Sequence, residues 1–229
     1  MIILIDDSNK SRHQEDLDKI HVLRHEVFVE DLKWSGLNSE DGREYDQYDV
    51  PGAVYIAVKE GDEIAAAVRL NWFDKPTLLS EVFPNLVQFE QMPEGSKFVD
   101  LSRFVVSPKF GDRDRMSKHG CELICGILEY GLSEGISNYT AVISPHFLST
   151  VLQWGVEAHA MGFPVGKGRD EHLAVRVPAT ATSISHLYYM TRNYEPRLRT
   201  PDFVRCFRDT ASLFREAELS RAQKQIAAE

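Results

Sequence analysis

Four charged side chains stand inside segments that are otherwise apolar. Arg24 lies among Leu23, Val27 and Phe28, and its spacing of four from Phe28 puts both on one helical face. Arg69 interrupts the run Ala65–Leu70, and Asp100 and Arg103 interrupt Phe98–Val106. A lone ion in an apolar interior is costly, so such charges are normally paired. Asp46 and Asp49, at the end of an acidic stretch, are available partners for the arginines. The chemistry on offer is electrostatic: an ion-pair network that only holds the core together, or one that lines a cleft. Four charges breaking three apolar segments favour the cleft. Asp100 and Arg103 are three apart, which in a regular strand sends them to opposite faces. They serve one cleft only where the strand is bulged, so a β-bulge is predicted near Leu101–Ser102.

Other catalytic signatures are missing. No Gly-x-Ser-x-Gly elbow occurs, and Gly162-Phe-Pro-Val-Gly-Lys-Gly lacks the spacing and the Ser or Thr of a phosphate-binding loop. His21 and His25 stand at i, i+4 without an obvious third ligand, so they read as surface histidines and no metal is expected. Cys121 and Cys125, four apart in an apolar helix, read as small core residues.

The elements that must position these residues follow from periodicity. Leu17, Ile20, Leu23, Val27 and Phe28 recur at helical spacing and predict a first helix over Gln14–Leu32. The polar stretch from Ser35 to Asp49 is rich in turn formers and reads as a loop. Ala53–Val58 and Glu63–Trp72, around a Gly-Asp turn, predict a hairpin. Phe98–Val106 is a third strand, and Ser117–Glu134 an apolar helix that should lie against a sheet. A strand at Tyr139–Ser144, a helix over Phe147–Ala158, a strand at His172–Val177 and a helix over Ser185–Asn193 follow. A polar helix from about residue 209 closes the chain. This order predicts an α/β (α+β) fold, a mixed sheet with helices on both faces.

The 229 residues carry 26 Lys and Arg against 35 Asp and Glu, a net charge of −9. So acidic a chain lacks the broad positive field that nucleic acids require. Two local basic groups read as solvated faces: Arg113, Arg115 and Lys118, and Arg192, Arg197, Arg199, Arg205 and Arg208. No run approaches the ~18–20 apolar residues of a membrane span. The first residues lack the basic start and small-residue cleavage site of a signal peptide. Three cysteines with no paired framework suit a reducing cytoplasm. Hydrophobic residues at 43% and charged residues at 27% exclude disordered and fibrous classes, and the length fits one domain over residues 1–229.

The set Arg24-x-x-x-Phe28, Trp34, Asp46-x-x-Asp49, Arg69, Phe83-Pro84 and Asp100-Leu-Ser-Arg103-Phe104 resembles the acyl-homoserine lactone synthases, the LuxI-type autoinducer synthases of bacterial quorum sensing. Order and spacing match from the first helix through the third strand, and more loosely to about residue 195. The stretch after Pro196 has no counterpart, and the family usually places Glu where this chain has the shorter Asp100.

The resemblance implies a twisted sheet similar to that of GNAT acyltransferases. It implies acyl transfer from a thioester to the amine of S-adenosylmethionine, a substrate and not a cofactor. The substrate carboxylate would then attack its own γ-carbon and expel methylthioadenosine. Arg24, Arg69 and Arg103 would meet that carboxylate, and Asp46 or Asp49 would orient the ammonium. Phe28 and Trp34 would face the sulfonium. Asp100 would be the general base, directly or through a water; if Arg103 held it, its pKa would fall and it would serve as an anchor.

The acyl chain would enter a gap between Phe98–Val106 and Tyr139–Ser144, lined by Phe83, Ser102, Phe104, Val142, Ile143, Leu148, Leu152 and Trp154. The carrier would be coenzyme A or acyl-carrier protein. An acidic carrier protein would be poorly steered to an acidic chain, which favours coenzyme A. Lys109, Arg113, Arg115 and Lys118 would form its dock near a helix start. Aromatic residues around the gap suggest a short, branched or aryl acyl group. Two other functions fit the residues: a GNAT-like N-acyltransferase for a different amine, and a binding module whose buried charges only hold the fold.

Overall fold

The computed structural model describes residues 1–34, 36–37, 41–110 and 117–198. The polar helix expected from about residue 209 lies outside them, as do Arg113, Arg115, Arg199, Arg205 and Arg208.

The chain opens with strand β1 (Ile2–Ile5) and helix α1 (Gln14–Arg24). The first helix was expected to run to Leu32. Instead the ladder widens to a π-helix over His25–Asp31, and Leu32 N–H donates back to Val27 at 2.9 Å. Apolar recurrence cannot separate the two ladders, and π turns commonly mark functional sites. The hairpin forms as β2 (Val54–Glu60) and β3 (Glu63–Phe73), reversing at Gly61, whose φ of 60° suits glycine. A four-residue helix α2 (Leu78–Glu81), capped by Thr77, had no periodic signal in the sequence.

Strand β4 (Gly95–Val106) leads to α3 (Lys118–Glu134), held between the Ser117 cap and Gly135 in the left-handed region. Then come β5 (Asn138–Ile143), α4 (Pro145–Gln153), β6 (His159–Ala160), β7 (Leu173–Pro178) and α5 (Ala181–Thr191). Helix α4 ends five residues before the expected Ala158, because Gly155 turns the chain at φ 74°. Helix α5 starts four residues early on its Thr180 cap.

The strands form one sheet in the order β1-β2-β3-β4-β5-β7-β6, antiparallel except for β4 beside β5. The expected mixed sheet with helices on both faces is what forms. Strand alternation sorts the side chains. Val54, Ile56 and Val58 face α3, where Leu123, Ile127 and Leu128 complete one core. Tyr55 and Ala57 face α1 and the π-helix, where Leu17, Ile20, Leu23 and Phe28 complete another. A third cluster, Leu79, Leu86, Met161 and Ala174, seats Phe83 and Val142 beside α2.

Two irregularities open the sheet. β4 and β5 pair only from Phe98 with Asn138 to Leu101 with Ala141, and beyond that rung no pairing joins them. On the other side, Ala67 pairs with Val105 but Arg69 with Ser102, so β4 carries one extra residue there. The predicted bulge exists, one to two residues later than expected, with Arg103 at φ 57°.

Gly162 packs against the wall that carries Phe83: a Cβ there would stand 2.3 Å from the Leu86 carbonyl oxygen. Backbone cannot yield as a side-chain tip can. Gly162→Ala should therefore cost roughly 1–3 kcal/mol, read as a lower urea midpoint at unchanged slope.

Candidate active site

The loop that carries Glu44, Asp46 and Asp49 lies over the α1 face of the sheet and places its acids among the arginines. Arg24, 1% exposed, gives its Nε to Glu44 at 2.5 Å and its two terminal nitrogens to Asp49 at 2.8 and 3.0 Å. Arg69, fully buried on β3, holds Asp46 at 2.5 and 3.1 Å, approaches Asp49 at 2.9 Å and donates its Nε to Ser102 at 3.1 Å. Arg103 bonds Glu44 through Nε and Nη2 and reaches Asp46 through Nη2 at 2.8 Å. Tyr55 donates its hydroxyl to Asp49 at 2.7 Å.

Burial opposes the ionisation of these acids, yet the arginines win: Asp49 and Glu44 are both held below the usual carboxylate range. Burial likewise disfavours charged Arg24, and Asp49 and Glu44 outweigh it, raising its pKa.

Glu44 was missed in the sequence, although the count of charges signals it. Three buried arginines beside two acids leave one positive charge over, and Glu44 stands two residues before Asp46. His21, once a candidate metal ligand, instead spends its Nδ1 on the Glu44 carbonyl at 2.8 Å. Among the described residues no group of three or more His, Cys, Asp or Glu could hold a metal ion.

Asp100 is 2% exposed and takes no part in this cluster. It accepts from the Leu79 N–H at 3.0 Å and from the Thr140 hydroxyl at 2.8 Å. Burial pushes its pKa up to about 6, against the pull of those hydrogen bonds. The alternative in which Arg103 holds Asp100 and depresses its pKa is not what forms, because the bulge turns Arg103 towards Glu44 and Asp46. A carboxylate with a pKa near 6 is better matched to proton transfer at neutral pH than an ordinary aspartate.

A cavity of about 1190 Å³ passes through the gap between β4 and β5 and has two unlike halves. On the α1 face its wall is polar and aromatic: Phe28, Trp34, Asp46, Asp100, Ser102 and Arg103. Phe28 and Trp34 stack at 4.6 Å, and the Arg103 guanidinium stands 5.9 Å from the Phe28 ring. On the α3 face the wall is apolar: Ile124, Ile127, Ala141, Ile143, Phe147 and Val177, with Phe104 tilted against Phe147 at 5.5 Å.

Phe83 and Val142 also line the cavity. Arg24, Arg69 and Asp49 do not; they stand behind its wall and reach a ligand only through Asp46 and Arg103. Leu148, Leu152 and Trp154 do not line it either. Phe147 and Val151 take the inward positions of α4, four apart, which rotates the residues after them away; Leu152 is 48% exposed. No sequence signal fixed that helical phase.

A family model described as autoinducer synthase matches residues 8–187. The isovaleryl-homoserine lactone synthase of Bradyrhizobium diazoefficiens is 31% identical over 165 residues, 72% of this chain and 73% of that protein. An acyl-homoserine-lactone synthase of Rhizobium radiobacter is 28% identical over 192 residues, 82% of this chain and 90% of that one. Among solved structures, the CoA-dependent acyl-homoserine lactone synthase BjaI with SAM and isopentyl-CoA superposes with a TM-score of 0.79 at 26% identity, over 93% of this chain and 99% of that chain. A putative N-acetyltransferase of Lactobacillus plantarum, 13% identical with a TM-score of 0.51 over 79% of this chain and 98% of that one, shares the fold.

Two outcomes follow from the geometry. Glu44→Ala strips an acceptor from both Arg24 and Arg103 and should cost about 3–5 kcal/mol, measured by denaturant unfolding. For Asp100, the folded pKa near 6 lies above its ordinary 3.8, so the folded state binds the extra proton between them. Stability then falls as pH rises through that window and is level above it. Asp100→Asn should abolish the fall and, at neutral pH, melt at or above the wild-type temperature.

Proposed function

The chain belongs to the autoinducer synthases, acyltransferases that make acyl-homoserine lactones, and on that premise we propose that it transfers a short branched or aryl acyl group from coenzyme A to S-adenosylmethionine. The observation that carries this reading is the two-sided cavity. One half suits a charged, zwitterionic substrate, and the other suits a hydrocarbon chain. The gap in the sheet joins them where an amine and a thioester must meet.

In this reading the aromatic faces of Phe28 and Trp34 receive the sulfonium. Arg103, with Nη1 unspent on protein acids, receives the substrate carboxylate, and Asp46 beside it orients the ammonium. Arg24, Arg69, Glu44 and Asp49 fix the positions of those two. Asp100, directly or through a water, takes the proton that the amine must lose before it attacks. The nitrogen then bonds to the carbonyl carbon, the carbon–sulfur bond breaks, and the thiolate leaves and takes up a proton. The carboxylate next attacks the γ-carbon. The bond from that carbon to the sulfonium breaks, its electron pair stays on sulfur, and methylthioadenosine departs.

The apolar half supports a compact acyl group. Phe104 and Phe147 narrow it, and β-branched Val and Ile side chains form much of the rest. A relative named an isovaleryl-homoserine lactone synthase, and a similar structure solved with isopentyl-CoA, support the same choice. For the carrier, a net charge of −9 disfavours docking of an acidic protein. Lys118, at the start of α3, stands where phosphates would be met by free backbone N–H groups.

Incubation with S-adenosylmethionine and a panel of acyl-CoA and acyl-carrier thioesters tests this, with products read by mass spectrometry. Branched or aryl acyl-CoA should give acyl-homoserine lactone and equimolar methylthioadenosine. Free thiol without methylthioadenosine would instead indicate an N-acyltransferase for another amine, and turnover with carrier-protein donors alone would overturn the choice of coenzyme A. Asp100→Asn should lower kcat by about 100-fold or more; near-normal turnover would remove it as the base.

A further inference from the structure

The three buried arginines of the cluster are already neutralised, since Glu44, Asp46 and Asp49 match them charge for charge. A carboxylate entering the polar half of the cavity therefore meets an arginine cluster of zero net charge, with Arg103 Nη1 as its one open guanidinium donor. S-adenosylmethionine carries two positive groups and one negative, and its carboxylate needs a cation of its own. Among the described residues that line the cavity, Lys33 is the one lysine or arginine with no acidic partner.

Its backbone is a second, independent observation. Lys33 holds φ 54°, in the left-handed region that a side chain with a Cβ disfavours. The turn that puts it there follows the π-helix, and its far side is tied by the Trp34 N–H to the Phe28 carbonyl at 2.9 Å. The same turn stacks Trp34 on Phe28. A glycine would take this conformation freely, yet the chain carries a cation there, on the wall where the aromatic pair stands.

We propose that Lys33 binds the carboxylate of S-adenosylmethionine, together with Arg103 Nη1. This rests on the assignment of S-adenosylmethionine as the substrate. The arrangement suits the second chemical step, because the carboxylate must leave its partner to attack the γ-carbon. An exposed ammonium at the rim of the cavity holds a carboxylate less tightly than a dry guanidinium pair, and so releases it more readily.

Lys33→Gly separates charge from fold, because glycine relieves the backbone while removing the ammonium. Calorimetric titration with S-adenosylmethionine and with methylthioadenosine reads the effect. The second compound keeps the adenosine and sulfur but lacks the carboxylate. Lys33→Gly should weaken S-adenosylmethionine about tenfold, between the loss expected for an exposed ion pair and for a dry one. It should leave methylthioadenosine unchanged and should not lower Tm. Lys33→Arg, which restores the charge, should restore most of the affinity. Equal affinity of the glycine variant and wild type for S-adenosylmethionine, or a parallel loss for both compounds, would overturn the proposal. Wild-type protein that binds neither compound would instead overturn the substrate assignment, and this inference with it.

Discussion

Three guanidinium groups and three carboxylates neutralise one another on one face of the sheet, and the site is built around that balance. None of the six could be left there alone, because a buried ion without a partner is more costly than the whole pair. The partners come from α1, β3, β4 and the loop between α1 and β2, so satisfying the charges also closes the loop over the sheet. The outermost members, Asp46 and Arg103, touch the cavity, and the inner ones set their positions. Substitution behind the wall therefore acts on the site without touching a ligand.

The second constraint is strand alternation. Each strand shows one set of residues to α1 and the other to α3, so a cavity that passes through the sheet has two chemically different ends. The bulge at Arg103 adds one exception. It brings Arg103 to the face that already holds Asp100 and Ser102, while Phe104 remains on the α3 side with the apolar lining. One extra residue thus separates a cationic group from a hydrocarbon surface. It also keeps Arg103 off Asp100, so burial can hold that carboxyl at a pKa of about 6.

Much of this was legible in the residues. Charges inside apolar runs marked the cluster, and the odd spacing of Asp100 and Arg103 demanded an irregular strand. The hairpin and α3 followed from periodicity and from Gly and Ser at their ends. Other features left no local trace. The π-helix shares the apolar recurrence of an ordinary helix, so its ladder could not be read. The inward face of α4 depends on where Ser144 caps it, and one step of rotation replaced Leu148 and Leu152 by Phe147 and Val151. Glu44 hid in a stretch of acids, where only the balance of charge across distant segments singles it out. Asp100 and Arg103 were near neighbours in the chain, and proximity in sequence suggested a bond that the bulge prevents.

The joint between β4 and β5 has a mechanical meaning. Four residue pairs couple β5, β7 and β6 to the other four strands, whereas β3 and β4 share most of their length. The sheet is in effect two plates meeting along a short seam, with the wedge-shaped opening beyond it. Each plate supplies one wall of that opening, and the charged cluster lies wholly on the first. Substitutions on the second plate's wall thus reshape the opening while leaving the side chains of the cluster in place.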